Sequence, residues 1–102
     1  MKFGLRDEDI RLIIATASEV SAIKQIIIFG SRAMGNYKQG SDVDLALKGN
    51  ITDDLLANFK YKLNEELPVP YFFDVVDYQS ITQDNLKKHI DTHGKVFYER
   101  RG

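Results

Sequence analysis

The chain has 102 residues, 43% of them apolar and 28% charged. That balance suits one soluble globular domain, residues 1–102, with a single core, and excludes a disordered tail. Fourteen basic against fifteen acidic side chains give a net charge of −1 and there is no cysteine, which argues against holding a long nucleic acid and excludes disulfides and thiolate metal sites.

No apolar run approaches the roughly 20 residues of a membrane span, and no N-terminal segment has a signal-peptide pattern. The expected location is the cytoplasm, with no membrane partner. A mononucleotide stays open as a ligand, because metals and a few local donors can meet its charge.

In chain order, Asp7 reads as a helix N-cap, with Ile10, Ile13, Ile14 and Ala17 forming one apolar stripe behind it over Asp7–Ser18. The run Ile26, Ile27, Ile28, Phe29 is β-branched, short and bounded by Gly30, as in a buried central strand. Residues 30–40 hold three of the seven glycines and read as a loop with one helical turn at Ser31–Met34. A second strand, 42–48, alternates: Asp42, Asp44, Ala46 and Lys48 share one face, and Val43, Leu45 and Leu47 the other.

Thr52 reads as the cap of a second helix with a stripe of Leu55, Leu56, Phe59 and Leu63, closed by Pro68. A third strand, 71–76, places Phe72, Asp74 and Val76 on one face and Tyr71, Phe73 and Val75 on the other. Ile81 and Leu86 flank a Thr82 cap as in a hydrophobic staple, predicting a third long helix over 83–92 that stops at Gly94 as a C′ residue. Residues 96–98 add an edge strand or a final turn. The expected fold is a small mixed α/β domain with helices packed on one face of the sheet and an acidic cleft on the other.

The chemistry concentrates in Gly30-Ser31, ten intervening residues, then Asp42-Val43-Asp44. Strand residues two apart point the same way, roughly 6.6–7 Å from each other. Such a carboxylate pair suits divalent cations that bridge the phosphates of a nucleotide. Gly30 permits close backbone approach, and free N–H groups with the Ser31 hydroxyl can grip a phosphate oxygen. Asp74, alone among Tyr, Phe and Val, is costly unless a metal or donor compensates it. With Asp74 beside the pair, two Mg²⁺ ions about 3.5–4 Å apart would clamp an in-line displacement. His89 and His93 are spaced i, i+4, yet the run His-Ile-Asp-Thr-His lacks the Glu of a metalloprotease helix. Both histidines also suit a helix C-terminus on electrostatic grounds.

With Gly30-Ser31-Arg32 and Ser41-Asp42-Val43-Asp44-Leu45 at this spacing, the chain resembles the minimal nucleotidyltransferases of the DNA polymerase beta superfamily. Small members are the MNT antitoxins that work beside HEPN-domain toxins. The resemblance implies a polymerase-beta-like fold with Gly30, Ser31 and Arg32 on the triphosphate. It implies metal binding and catalysis by Asp42, Asp44 and Asp74, the last on the stretch Phe73-Asp74-Val75-Val76-Asp77, with Asp77 the alternative third ligand. Relatives often carry a second basic residue where this chain has Met34. Two Mg²⁺ and ATP are the implied cofactor and donor, and a tyrosine of a HEPN-type ribonuclease toxin the implied acceptor, in a hetero-oligomer. Larger relatives hold their acceptors with extra domains, so here another polypeptide is expected to supply it. A non-catalytic module that neutralises a partner by occlusion, and transfer to a small molecule, are the other readings.

Overall fold

A computed structural model describes residues 1–101. The elements run α1 (Asp7–Ser18), β1 (Ile23–Phe29), a one-turn α2 (Ser31–Met34), β2 (Val43–Gly49), α3 (Asp53–Tyr61), β3 (Phe73–Asp77), α4 (Asp84–His93) and β4 (Lys95–Glu99). A π-helical turn, Lys62–Glu66, extends α3, and a 3₁₀ turn, Tyr78–Ser80, follows β3. The sheet order is β3-β2-β1-β4. β1 is antiparallel to both β2 and β4, whereas β2 and β3 are parallel. A parallel neighbour requires a crossover, and α3 supplies it. The expected mixed α/β class is the one observed.

Side-chain alternation sets the layers. Ile26 and Ile28 of β1, Val43, Leu45 and Leu47 of β2, and Phe73 and Val75 of β3 point to one face. There they pack with Ile13 and Ala17 of α1, with Phe59 of α3 and with Leu63 of the π-helical turn that extends it. Helices do not keep to that face alone. Ile27, Phe29 and Ala46 form a second small core with Ile90 of α4 on the opposite face. The four-residue apolar run of β1 explains this, since consecutive apolar residues leave both faces in need of cover. α4 shields the β1 side of that face, and Asp44 and Asp74 on β2 and β3 stay half-exposed.

Several boundaries differ from the sequence reading for local reasons. Arg6, not Asp7, is the N-cap of α1; its N–H donates to the Tyr71 hydroxyl and its guanidinium to Asp9. β1 begins three residues early because Ile23 pairs with Gly49 across the ladder. Thr52 caps α3 as expected, accepting from Leu55 N–H at 3.1 Å. Gln83, not Thr82, is the N-cap of α4, although Ile81 and Leu86 both pack on the second core. Gly94 does close α4, but with φ −65 and so not in the left-handed form. A side chain there would strike the Ile90 carbonyl and Ile27, so glycine serves close packing. β4 is a full edge strand.

Candidate active site

β1 delivers Gly30 to the edge of the acidic face, and pairing of Phe29 with Asp44 brings the next strand's acid beside it. In the parallel ladder Asp44 stands opposite Asp74, so two acids from strands about 4.8 Å apart share one face. Asp42 lies just outside the ladder, one residue before β2, and is exposed. The Asp44 carboxyl is held above the usual carboxylate range, first by burial and then by the Asp74 and Asp42 carboxylates; the Arg32 guanidinium opposes the shift. Asp44 therefore feels both neighbouring acids. Asp77 pairs with Leu47 at the far end of β3 and caps the 3₁₀ turn, accepting from Gln79 N–H and the Ser80 hydroxyl.

The turn after β1 is more constrained than glycine freedom alone suggests. Gly30 has φ 74 and ψ −156, a region essentially reserved for glycine. A Cβ on Gly30 would collide with Oδ2 of Asp44. Gly30 N–H donates to Nε2 of His89 at 3.1 Å, so this amide does not face solvent as a free phosphate donor. Ser31 opens α2, whose first N–H groups have no partner within the helix.

Arg32 occupies a different place from the one the sequence suggests. It is buried, and its guanidinium donates to the Ser41 carbonyl at 2.7 and 3.1 Å and to the Phe3 carbonyl at 2.9 Å. Tyr37 and Tyr71 lie against it at 5.3 and 5.5 Å from ring centroid to guanidinium carbon. Arg32 thus braces the loop that leads into Asp42. Beyond that loop a hollow of about 430 Å³ opens between Tyr37, Lys38, Ser41, Tyr71 and Phe72. Tyr71 also donates to the buried Asp9 at 2.8 Å, tying the start of β3 to α1. Arg6, with Tyr71 assisting, holds the Asp9 carboxyl below its usual range against the effect of burial.

Three contributors to the site carry no motif. His89 reaches the turn from α4. Lys60 of α3 places Nζ 3.6 Å from Oδ1 of Asp74, giving that acid a counter-charge. Asn64, in the π-helical turn, accepts from Phe73 N–H at 2.8 Å and donates to the Phe73 carbonyl at 3.0 Å. Its amide thereby pairs with the outer edge of β3 one residue before Asp74. The spacing of Lys60 and Asn64, i and i+4 on one helical face, was the available signal. For His89 the only one was its place on the helix face that carries Leu86, Ile90 and His93.

The donor set fits Mg²⁺. Carboxylates gathered on one face, one of them raised above its ordinary range by burial and by its neighbours, are what a hard divalent cation neutralises. Among the described residues no three acidic or imidazole groups converge closely enough to enclose an ion by themselves. Mg²⁺ is commonly bound by one or two carboxylates, with substrate phosphates and waters completing its shell.

Comparisons with known proteins agree with this fold. Among solved structures, a toxin–antitoxin complex with AMP-PNP matches with a TM-score of 0.70 and 22% identity, covering 95% of this chain and 76% of that one. The MntA-HepT toxin–antitoxin complex gives 0.69 and 20%, over 93% and 74%. A tri-AMPylated Shewanella oneidensis HEPN toxin in complex with its MNT antitoxin gives 0.67 and 21%, over 91% and 71%. At such identities the likeness establishes the fold. The Putative protein adenylyltransferase MJ0604 of Methanocaldococcus jannaschii is 42% identical over 41 residues, 40% of this chain and 41% of that protein. The match thus spans about two fifths of that curated relative. The family model for polymerase beta nucleotidyltransferases matches residues 11–101. The chain belongs to the polymerase beta nucleotidyltransferase family.

Proposed function

We propose that the chain is a Mg²⁺-dependent nucleotidyltransferase that moves AMP from ATP to a hydroxyl of a partner protein. The acceptor in this reading is a tyrosine of a HEPN-type toxin, which the chain neutralises as its antitoxin. The observation that carries the proposal is the register of Asp44 with Asp74, set beside the Gly30–Ser31 turn. Support for the donor and partner comes from similar folds solved with AMP-PNP and with an AMPylated HEPN toxin.

In this reading Ser31 and the first N–H groups of α2 bind the triphosphate. Asp42, Asp44 and Asp74 hold the metal, two ions by analogy with in-line displacement sites. Bound Mg²⁺ supplies positive charge that stabilises the phosphates as negative charge develops on them. Asp74 takes the proton of the acceptor hydroxyl, whose oxygen forms a bond to the α-phosphorus. The bond from the α-phosphorus to the α,β-bridging oxygen breaks, and pyrophosphate leaves with the electron pair. Sheet order places Gly30–Ser31 on one side of Asp44 and Asp74 on the other. That separation suits opposed leaving and attacking groups.

Exposed Phe72 and Tyr61, on β3's approach and α3, favour a second reading: neutralisation by complex formation alone. The two readings part in one experiment. Asp42→Asn/Asp44→Asn is co-expressed with the partner toxin, and both complex formation and growth rescue are measured. An intact complex without rescue supports catalysis, and rescue by the double variant supports occlusion.

A further inference from the structure

We infer that His89 is a positioning residue of the nucleotide-binding turn: by accepting the Gly30 N–H it fixes the peptide from which α2 starts. The inference rests on the nucleotidyl-transfer reading of the same site. α2 has no side-chain cap of its own, and glycine at position 30 leaves the peptide many alternative conformations, so its direction has to be set by neighbours. That support comes from both sides. The Asp44 carboxylate fills the space beside the Gly30 α-carbon, and His89 takes the amide at 3.1 Å.

The imidazole is itself well seated. Its ring meets Phe29 edge-on at 6.2 Å and lies 5.2 Å from the His93 ring. The next residue, Ile90, is only 3% exposed in the second core. Acceptance at Nε2 places the ring proton on Nδ1. The Gly30 amide is thereby withdrawn from the phosphate donors, and the donors that follow it, Ser31 first, keep one direction. Positioning of this kind is worth a great deal, since a misplacement of about 1 Å can cost roughly 100-fold in rate.

The test is steady-state transfer to the partner protein by wild type, His89→Ala and His89→Gln, with ATP and acceptor varied separately and a thermal melt of each chain. Gln offers an acceptor oxygen near the Nε2 position. The expected result is a loss of about 10-fold or more in kcat/KM for ATP with Ala, an unchanged KM for the acceptor, and recovery with Gln to within about 3-fold. Active wild type with His89→Ala equal to it overturns the His89 assignment alone. Equal impairment of Ala and Gln at unchanged melting temperature also overturns it, because the ring and not its acceptor atom would then matter. If Ala melts lower, kcat/KM is compared well below its melting point, where parity with wild type overturns the assignment. Wild type that transfers nothing to a partner it binds overturns the transfer reading, and the His89 role with it.

Discussion

The carboxylate of Asp44 lies against the α-carbon of Gly30, in the volume that any side chain at position 30 would need. Two parts of the motif separated by a long loop are therefore one packed unit. Gly30 is glycine for two reasons, its φ of 74 with ψ −156 and this contact.

Gly30→Ala should therefore damage both fold and function. Backbone strain in that region costs roughly 1–3 kcal/mol, and the new methyl group must push the Asp44 carboxylate off its position beside Gly30. The expected outcome is a lower urea midpoint together with a loss of transfer of about 100-fold or more. Transfer at the wild-type level in a folded Gly30→Ala chain would mean that Asp44 need not stay where it is.

Burial of Asp44, with the acids beside it, makes stability depend on pH in a defined direction. The Asp44 pKa is raised in the folded chain, through burial and then Asp74 and Asp42, so the folded state binds this proton more tightly than the unfolded state. The stability it contributes is full below the unfolded carboxylate pKa and is lost as pH rises through the raised folded value. In metal-free buffer at neutral pH, Asp44→Asn should accordingly raise Tm, each ~1 kcal/mol gained being worth about 4–8 °C in a chain of this size. The gain should vanish at a pH below the ordinary carboxylate range. Mg²⁺ should raise the Tm of wild type more than that of the variant. Calorimetry over pH, with and without Mg²⁺, reads all three.

Asn64 should prove important although it touches no acid. Its amide closes the outer edge of β3 at Phe73, and truncation leaves an N–H and a carbonyl there unpaired. Asn64→Ala should cost about 1–3 kcal/mol in chemical denaturation. It should also lower kcat more than it raises KM for ATP, because the residue it steadies precedes the acceptor-side acid. A variant with wild-type stability and kcat would show that the edge is held by other means.

The layers and the acids were legible because alternation and spacing are local. Val43, Leu45 and Leu47 against Asp44 and Ala46 follow from the period of a strand, and Thr52 from capping chemistry. The third acid fell into place because a parallel ladder aligned Asp74 with Asp44. What stayed hidden depends on contacts between distant segments. Gly30 and His89 are 59 positions apart, and no period links them. Arg32 stands next to Ser31 in the motif, yet the side chain turns back to the carbonyls of Phe3 and Ser41, because the loop and the N-terminal turn offer acceptors in a buried place. The run Ile26–Phe29 reads as a central strand, and Ile27 and Phe29 thereby require cover on the second face. Yet the acids on that face point to an open cleft, so the sequence alone places helices on the other face only.

One measurement bears most directly on whether Asp42, Asp44 and Asp74 form a transferase site. Wild type and the Asp42→Asn/Asp44→Asn variant are incubated with α-³²P-ATP, Mg²⁺ and the co-purified partner toxin, and label is followed into protein. A labelled toxin band with wild type, absent with the variant and absent when Mg²⁺ is chelated, is the predicted result. Equal label with both chains, or none with wild type in an intact complex, would contradict it.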